Sequence, residues 1–162
     1  MQKEKNLGFV PTMGAIHKGH ISLIKKSNEE CAKTIVSIFV NKQQFNKKRD
    51  YEKYPRILRK DIFILKNNKV DYIYIPTIKQ IYPYGYNKKI VISSFSKKLC
   101  GIHRPRHFEA IADVVERFTN IINPNKIFFG EKDMQQLLIM KDFFKKMKYK
   151  TKVIGCKTIR EN

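Results

Sequence analysis

At 162 residues, 42% of them hydrophobic, the chain is long enough for one folded domain with a real core. Lys and Arg total 34 against 14 acidic residues, a formal charge of +20, but the lysines run from Lys3 to Lys157 among many Asn and Ile, which describes a solvated surface more than a dedicated nucleic-acid face. Cys31, Cys100 and Cys156 are widely spaced without a CxxC, which excludes a zinc knuckle or a disulfide framework and suits reduced thiols in the cytoplasm.

Taken in order, MQKEKN leads straight into an apolar segment, so no signal peptide is expected, and no apolar run reaches the length that crosses a bilayer. Residues 7–10 read as a buried strand, followed by a Gly-punctuated turn and a helix to about residue 31. A second buried strand covers 34–40, a polar loop with aromatic punctuation 41–54, and a helix opened by Pro55 continues to about 67. Residues 70–75 form a third strand, 82–85 a turn, 90–92 a short strand and 95–100 a helical turn. A helix over 108–122, a strand over 126–129, a helix over 133–147 and a last strand over 150–154 complete the pattern. Alternating strands and helices predict an α/β, Rossmann-like, mostly parallel sheet with helices on both faces and right-handed crossovers.

Ligands of such a sheet bind beyond the carboxyl ends of the strands, and the unusual residues fall there. The first strand runs into Pro11-Thr12-Met13-Gly14-Ala15-Ile16 and then His17-Lys18-Gly19-His20. Amides at a strand-to-helix turn and the positive end of the helix dipole suit phosphate. Gly19 lets a ligand approach the backbone, and two imidazoles three residues apart share one helix face and reach a triphosphate. The blander reading is a pair of surface histidines. The second strand ends at Asn41-Lys42-Gln43-Gln44-Phe45 and the fifth at Gly130-Glu131-Lys132-Asp133-Met134-Gln135-Gln136, so three strand ends offer amides, a lysine, carboxylates and histidines to one rim.

With PTMGAIHKGH, SIFVNKQQF, DYEKYPRILRKD, HRPRHF, FFGEKDMQQL and the terminal TIRE in order along almost the whole chain, the sequence resembles the pantoate–β-alanine ligase family of the HIGH-motif nucleotidyltransferase superfamily. The resemblance implies that ATP and pantoate give enzyme-bound pantoyl adenylate and pyrophosphate, after which β-alanine gives pantothenate and AMP. His17, His20 and Lys132 become the catalytic candidates. His20 matches the position usually labelled the proton donor, although stabilising the departing pyrophosphate explains its chemistry as well. Met13 through His20, Gly130, Glu131, Lys132, Asp133 and Ile159 would lie along ATP. Gln44 and Gln136 match the pantoate-binding glutamines, with Asn41, Tyr54, Met13 and Arg104 completing the acid and amine sites. Asp61 matches a carboxylate near Mg²⁺, or a helix residue that water simply solvates.

Lys42 replaces a proline usual in the family, and Asp113 replaces a threonine at a position that reads as exposed. Gln43, Gln135 and His107 carry lesser roles, the first two as solubilising neighbours and the third in fixing a turn. The sequence stops just before the family's MSSRN segment, the analogue of KMSKS, and its C-terminal domain, so weak nucleotide binding and poor turnover are expected of residues 1–162, with a homodimer expected at full length. Rival readings are another HxGH nucleotidyltransferase acting on a phosphorylated substrate, which would not need the paired glutamines, and a basic nucleic-acid module, whose binding would collapse with salt.

Overall fold

The computed structural model describes residues 6–157. Its centre is a five-stranded, wholly parallel sheet in the order β3-β2-β1-β4-β5. The strands are β1 (Leu7–Thr12), β2 (Lys33–Ile38), β3 (Tyr72–Tyr74), β4 (Lys126–Gly130) and β5 (Lys152–Cys156). Between them lie α1 (Lys18–Glu30), α2 (Lys48–Lys53), α3 (Leu58–Asn67), α4 (Ile78–Ile81), α5 (Cys100–His103), α6 (His107–Ile122) and α7 (Met134–Lys146).

Strand alternation divides the core into two layers. Phe9, Ile127 and Phe129 point to the side filled by Ile111, Val115 and Phe118 of α6 and Leu137, Met140 and Phe143 of α7. Val10, Val36 and Phe128 point to the other side, against Leu23 and Ile24 of α1 and Leu65 of α3. A Cβ on Gly8 would collide with Ser27 and Cys31 of α1, so glycine lets that helix lie close on the central strand. After β3 the chain returns to the opposite side of β1, placing the switch in strand order between the carboxyl ends of β1 and β4.

The expected α/β architecture is present, with differences in detail. The expected loop over 41–54 contains a 3-10 turn, Lys42–Gln44, and α2. Both are short and polar, so they carry no apolar period. The expected strand at 90–92 joins no sheet; Ile90 and Ile92 pack against the α6–α7 core as irregular chain. Asp113 is 4% exposed rather than solvated, because its carboxylate is needed by Arg117 and the main chain of Asn87. Gln135 is equally far from a solubilising role. Its amide donates to the carbonyls of Phe95 and Lys98 and accepts from the N–H of Cys100, clamping that segment to α7. Among the described residues no helix is long and apolar enough to cross a membrane.

Candidate functional site

At the end of β1 the Thr12 hydroxyl donates to the Ser37 carbonyl and accepts the Gly14 N–H, starting a turn in which Gly14 and Ala15 both have positive φ, 81° and 51°. At Gly14 a side chain would be strained by φ and would press on Asp61 and Ile38. Asp61, from α3 and 1% exposed, closes the turn by accepting the N–H groups of Ala15 (3.0 Å) and Ile16 (2.8 Å) on its two oxygens. This commits the carboxylate to shaping the main chain. The expectation of a helix residue that water simply solvates is corrected accordingly, since the carboxylate is buried and both of its oxygens are taken by main-chain amides.

Helix α1 begins with an unusual cap. His17 Nδ1 accepts the Gly19 N–H (3.1 Å), while His20 Nδ1 faces the His17 N–H at a long 3.4 Å. An Nδ1 that accepts a hydrogen bond leaves the proton of a neutral imidazole on Nε2, the tautomer these contacts select for His20. The ring centroids lie 4.1 Å apart with the planes tilted by 40°. Burial, reinforced by the neighbouring His17, pushes His20 down to about pKa 4 against a weaker upward pull from Asp61, so it is neutral near pH 7.

Two cavities meet at His20. One, of about 220 Å³, has an apolar floor of Ile111, Val114, Val115, Phe118, Phe128 and Phe129, with Asn41, Gln44, Tyr54 and Gln136 supplying polar atoms and Met13 at its rim. The other, of about 650 Å³, is polar and basic: His17, Lys18, Gly19, Gly130, Lys132 and Lys157 line it. His20, Leu23, Gly130 and Asp133 belong to both. The first is too small for a nucleotide, and the second is a shallow groove suited to a polyanion.

The remaining candidates fall elsewhere. Gly14, Ala15 and Ile16 build the turn but line neither cavity, and Glu131 turns its carboxylate over Gly155 of β5. Arg104 lines a third groove, of about 470 Å³, which adjoins the smaller cavity through Met13 and Gln44. His107, with its proton affinity lowered chiefly by burial, holds the Gln44 carbonyl from Nδ1 at 2.7 Å. Ile159 and Arg160 lie outside the described residues. Lys157 is an addition that the strand-end rule reaches, since it directly follows β5.

A parallel sheet in this order, with both cavities at the switch in strand order and a paired-histidine helix start between them, defines a Rossmann-like domain of the HIGH-motif superfamily fold. Sequence comparison matches residues 1–162 to the profile of the family described as Pantoate-beta-alanine ligase. The chain belongs to that family. It is 45% identical to a pantothenate synthetase of Thermodesulfovibrio yellowstonii over 98% of its own length and 57% of the relative's, and 44% identical to one of Pseudothermotoga lettingae over 99% and 57%. The chain thus spans a little over half the length of these curated relatives. A solved pantoate-beta-alanine ligase of Francisella tularensis, complexed with "Beta-gamma ATP and Beta-alanine", superposes with TM-score 0.90 at 43% identity, covering 99% of this chain and 62% of that one. Tyrosyl-tRNA synthetase of Archaeoglobus fulgidus, at 11% identity and TM-score 0.52 over 96% of this chain and 56% of that one, shares the fold alone.

Proposed function

We propose that residues 1–162 form the nucleotide- and pantoate-binding unit of an ATP-dependent pantoate–β-alanine ligase. The triphosphate of ATP lies in the basic groove over His17, Lys18, Lys132 and Lys157, and pantoate fills the smaller cavity with its dimethyl group on the apolar floor and its oxygens on Asn41, Gln44 and Gln136. A pantoate carboxylate oxygen attacks the α-phosphorus and pyrophosphate leaves; the β-alanine amine then attacks the acyl carbon, loses a proton and displaces AMP. Support comes from one observation above all: His20 stands in the wall common to both cavities, where carboxylate and α-phosphate must meet.

A neutral His20 is a poor acid at pH 7, and pyrophosphate departs without needing a proton. Its Nε2–H therefore serves as a fixed donor to the charge that builds on the phosphates. Mg²⁺ enters this reading with the nucleotide's phosphates, the ligands that hard cation takes together with water. The family resemblance adds a homodimer and a cytoplasmic setting. The test is pantoate-dependent release of pyrophosphate from ATP under single-turnover conditions. Release is expected to require pantoate and to fall about 10²-fold or more in His20→Ala through lost transition-state stabilisation. Release that ignores pantoate, or survives the substitution intact, contradicts the assignment.

A further inference from the structure

We propose that Tyr82, gripped by the Asp113–Arg117 ion pair, is a positioning residue that fixes the amide of Asn41 for the acid ligand; this rests on the acid-cavity reading above. Asn41 is 1% exposed yet lines that cavity. Its Nδ2 donates to the Ala110 carbonyl (3.3 Å), and its Oδ1 accepts the Tyr82 hydroxyl (3.1 Å). The Ala110 oxygen can only accept, so a flipped amide would set oxygen against oxygen. Of the two Nδ2 hydrogens one is committed to Ala110, leaving the other for an oxygen of the ligand. Tyr82 thus makes Asn41 a donor of fixed orientation, suited to a hydroxyl or carboxylate oxygen and unsuited to a ligand donor.

Tyr82 is itself held on three sides. The Arg117 guanidinium lies 4.6 Å from its ring centroid and donates to the carbonyls of Ile81 and Gly85, both at 3.0 Å, on either side of it in sequence. Arg117 Nε reaches Asp113 at 2.7 Å, and the other oxygen of Asp113 takes the Asn87 N–H at 3.0 Å. The planar fork of arginine makes these contacts in one geometry that lysine cannot copy. Burial, with Asp113 nearby, raises the phenol well above its ordinary value, so the hydroxyl remains a donor throughout the working pH range. The segment that carries no catalytic group thereby governs a residue at the end of β2.

Tyr82→Phe deletes the hydroxyl while keeping the ring. The side-chain amide resonance of Asn41, assigned by its absence in Asn41→Asp, reports orientation directly, and titration with pantoate and with ATP reports its use. In folded Tyr82→Phe, confirmed by its melting temperature, the Asn41 amide is expected to exchange with solvent about tenfold faster, and pantoate to bind about three- to tenfold more weakly, with ATP affinity within about twofold of wild type. Arg117→Lys is expected to fall between the two. Unchanged exchange and pantoate affinity in Tyr82→Phe, alongside a pantoate response in the wild-type resonance, overturn the proposal alone; equal weakening of ATP overturns a positioning role specific to the acid. A wild-type Asn41 resonance indifferent to pantoate overturns the acid-cavity reading and the proposal with it.

Discussion

The two cavities that meet at His20 are built from different materials. The smaller one is walled by side chains of the core, and its polar groups are braced from behind: Asn41 by Tyr82 and Ala110, and the main chain of Gln44 by His107. The larger one is made of a helix start, Gly130 and exposed Lys132 and Lys157, none of them packed in the core. A pocket walled by core side chains selects by shape and by the placement of a few donors, whereas an open basic groove selects by charge. One fold edge therefore offers both kinds of recognition within reach of a single imidazole.

The largest expected effect comes from the residue that supports both. Asp61→Ala would leave the Ala15 and Ile16 N–H groups without their acceptor and open a void beside Gly14, costing about 3 kcal/mol of stability. Urea denaturation measures the loss, and both ligands should weaken together; loss of one ligand only would mean that the turn belongs to one cavity rather than to their common wall.

Acidification acts next, on the wall that the two cavities share. His20 has a folded value near 4 against an ordinary 6.5, so the unfolded chain binds its proton first as the pH falls. Its contribution is complete above about pH 6.5 and is lost progressively toward pH 4, amounting to about 3 kcal/mol. His107 is shifted in the same direction by burial and adds to the trend. The difference between wild type and His20→Gln, compared by urea midpoint at pH 7 and pH 4.5, isolates the His20 share. Equal pH dependence in the two proteins would show that His20 is already charged or solvated in the folded state.

What the sequence made legible follows the physics of each feature. Long apolar runs and helical periods located all five strands and the principal helices, because burial imposes those patterns. The βα turn with His17 and His20 was legible because glycine and paired imidazoles are unusual together. Asp61 was not, since a carboxylate accepting two distant amides has the same local sequence as one facing water or metal. Gln135 and Asp113 misled for the same reason: each is a polar residue on a helix whose partners lie 26 or more residues away or, for Arg117, one turn along the helix. Gly14 to Ile16 share the motif with the histidines but face inward, a distinction that only the turn's positive φ angles reveal.

The central claim, that two adjoining cavities hold two different ligands, is tested most directly by cross-titration. Calorimetric titrations of ATP and of pantoate into the wild-type chain, Gln136→Ala and Lys132→Ala should dissociate: Gln136→Ala weakens pantoate about three- to tenfold and leaves ATP within about threefold, and Lys132→Ala does the reverse. Both substitutions weakening both ligands alike, or neither weakening its own, would contradict the separation of the site into an acid cavity and a phosphate groove.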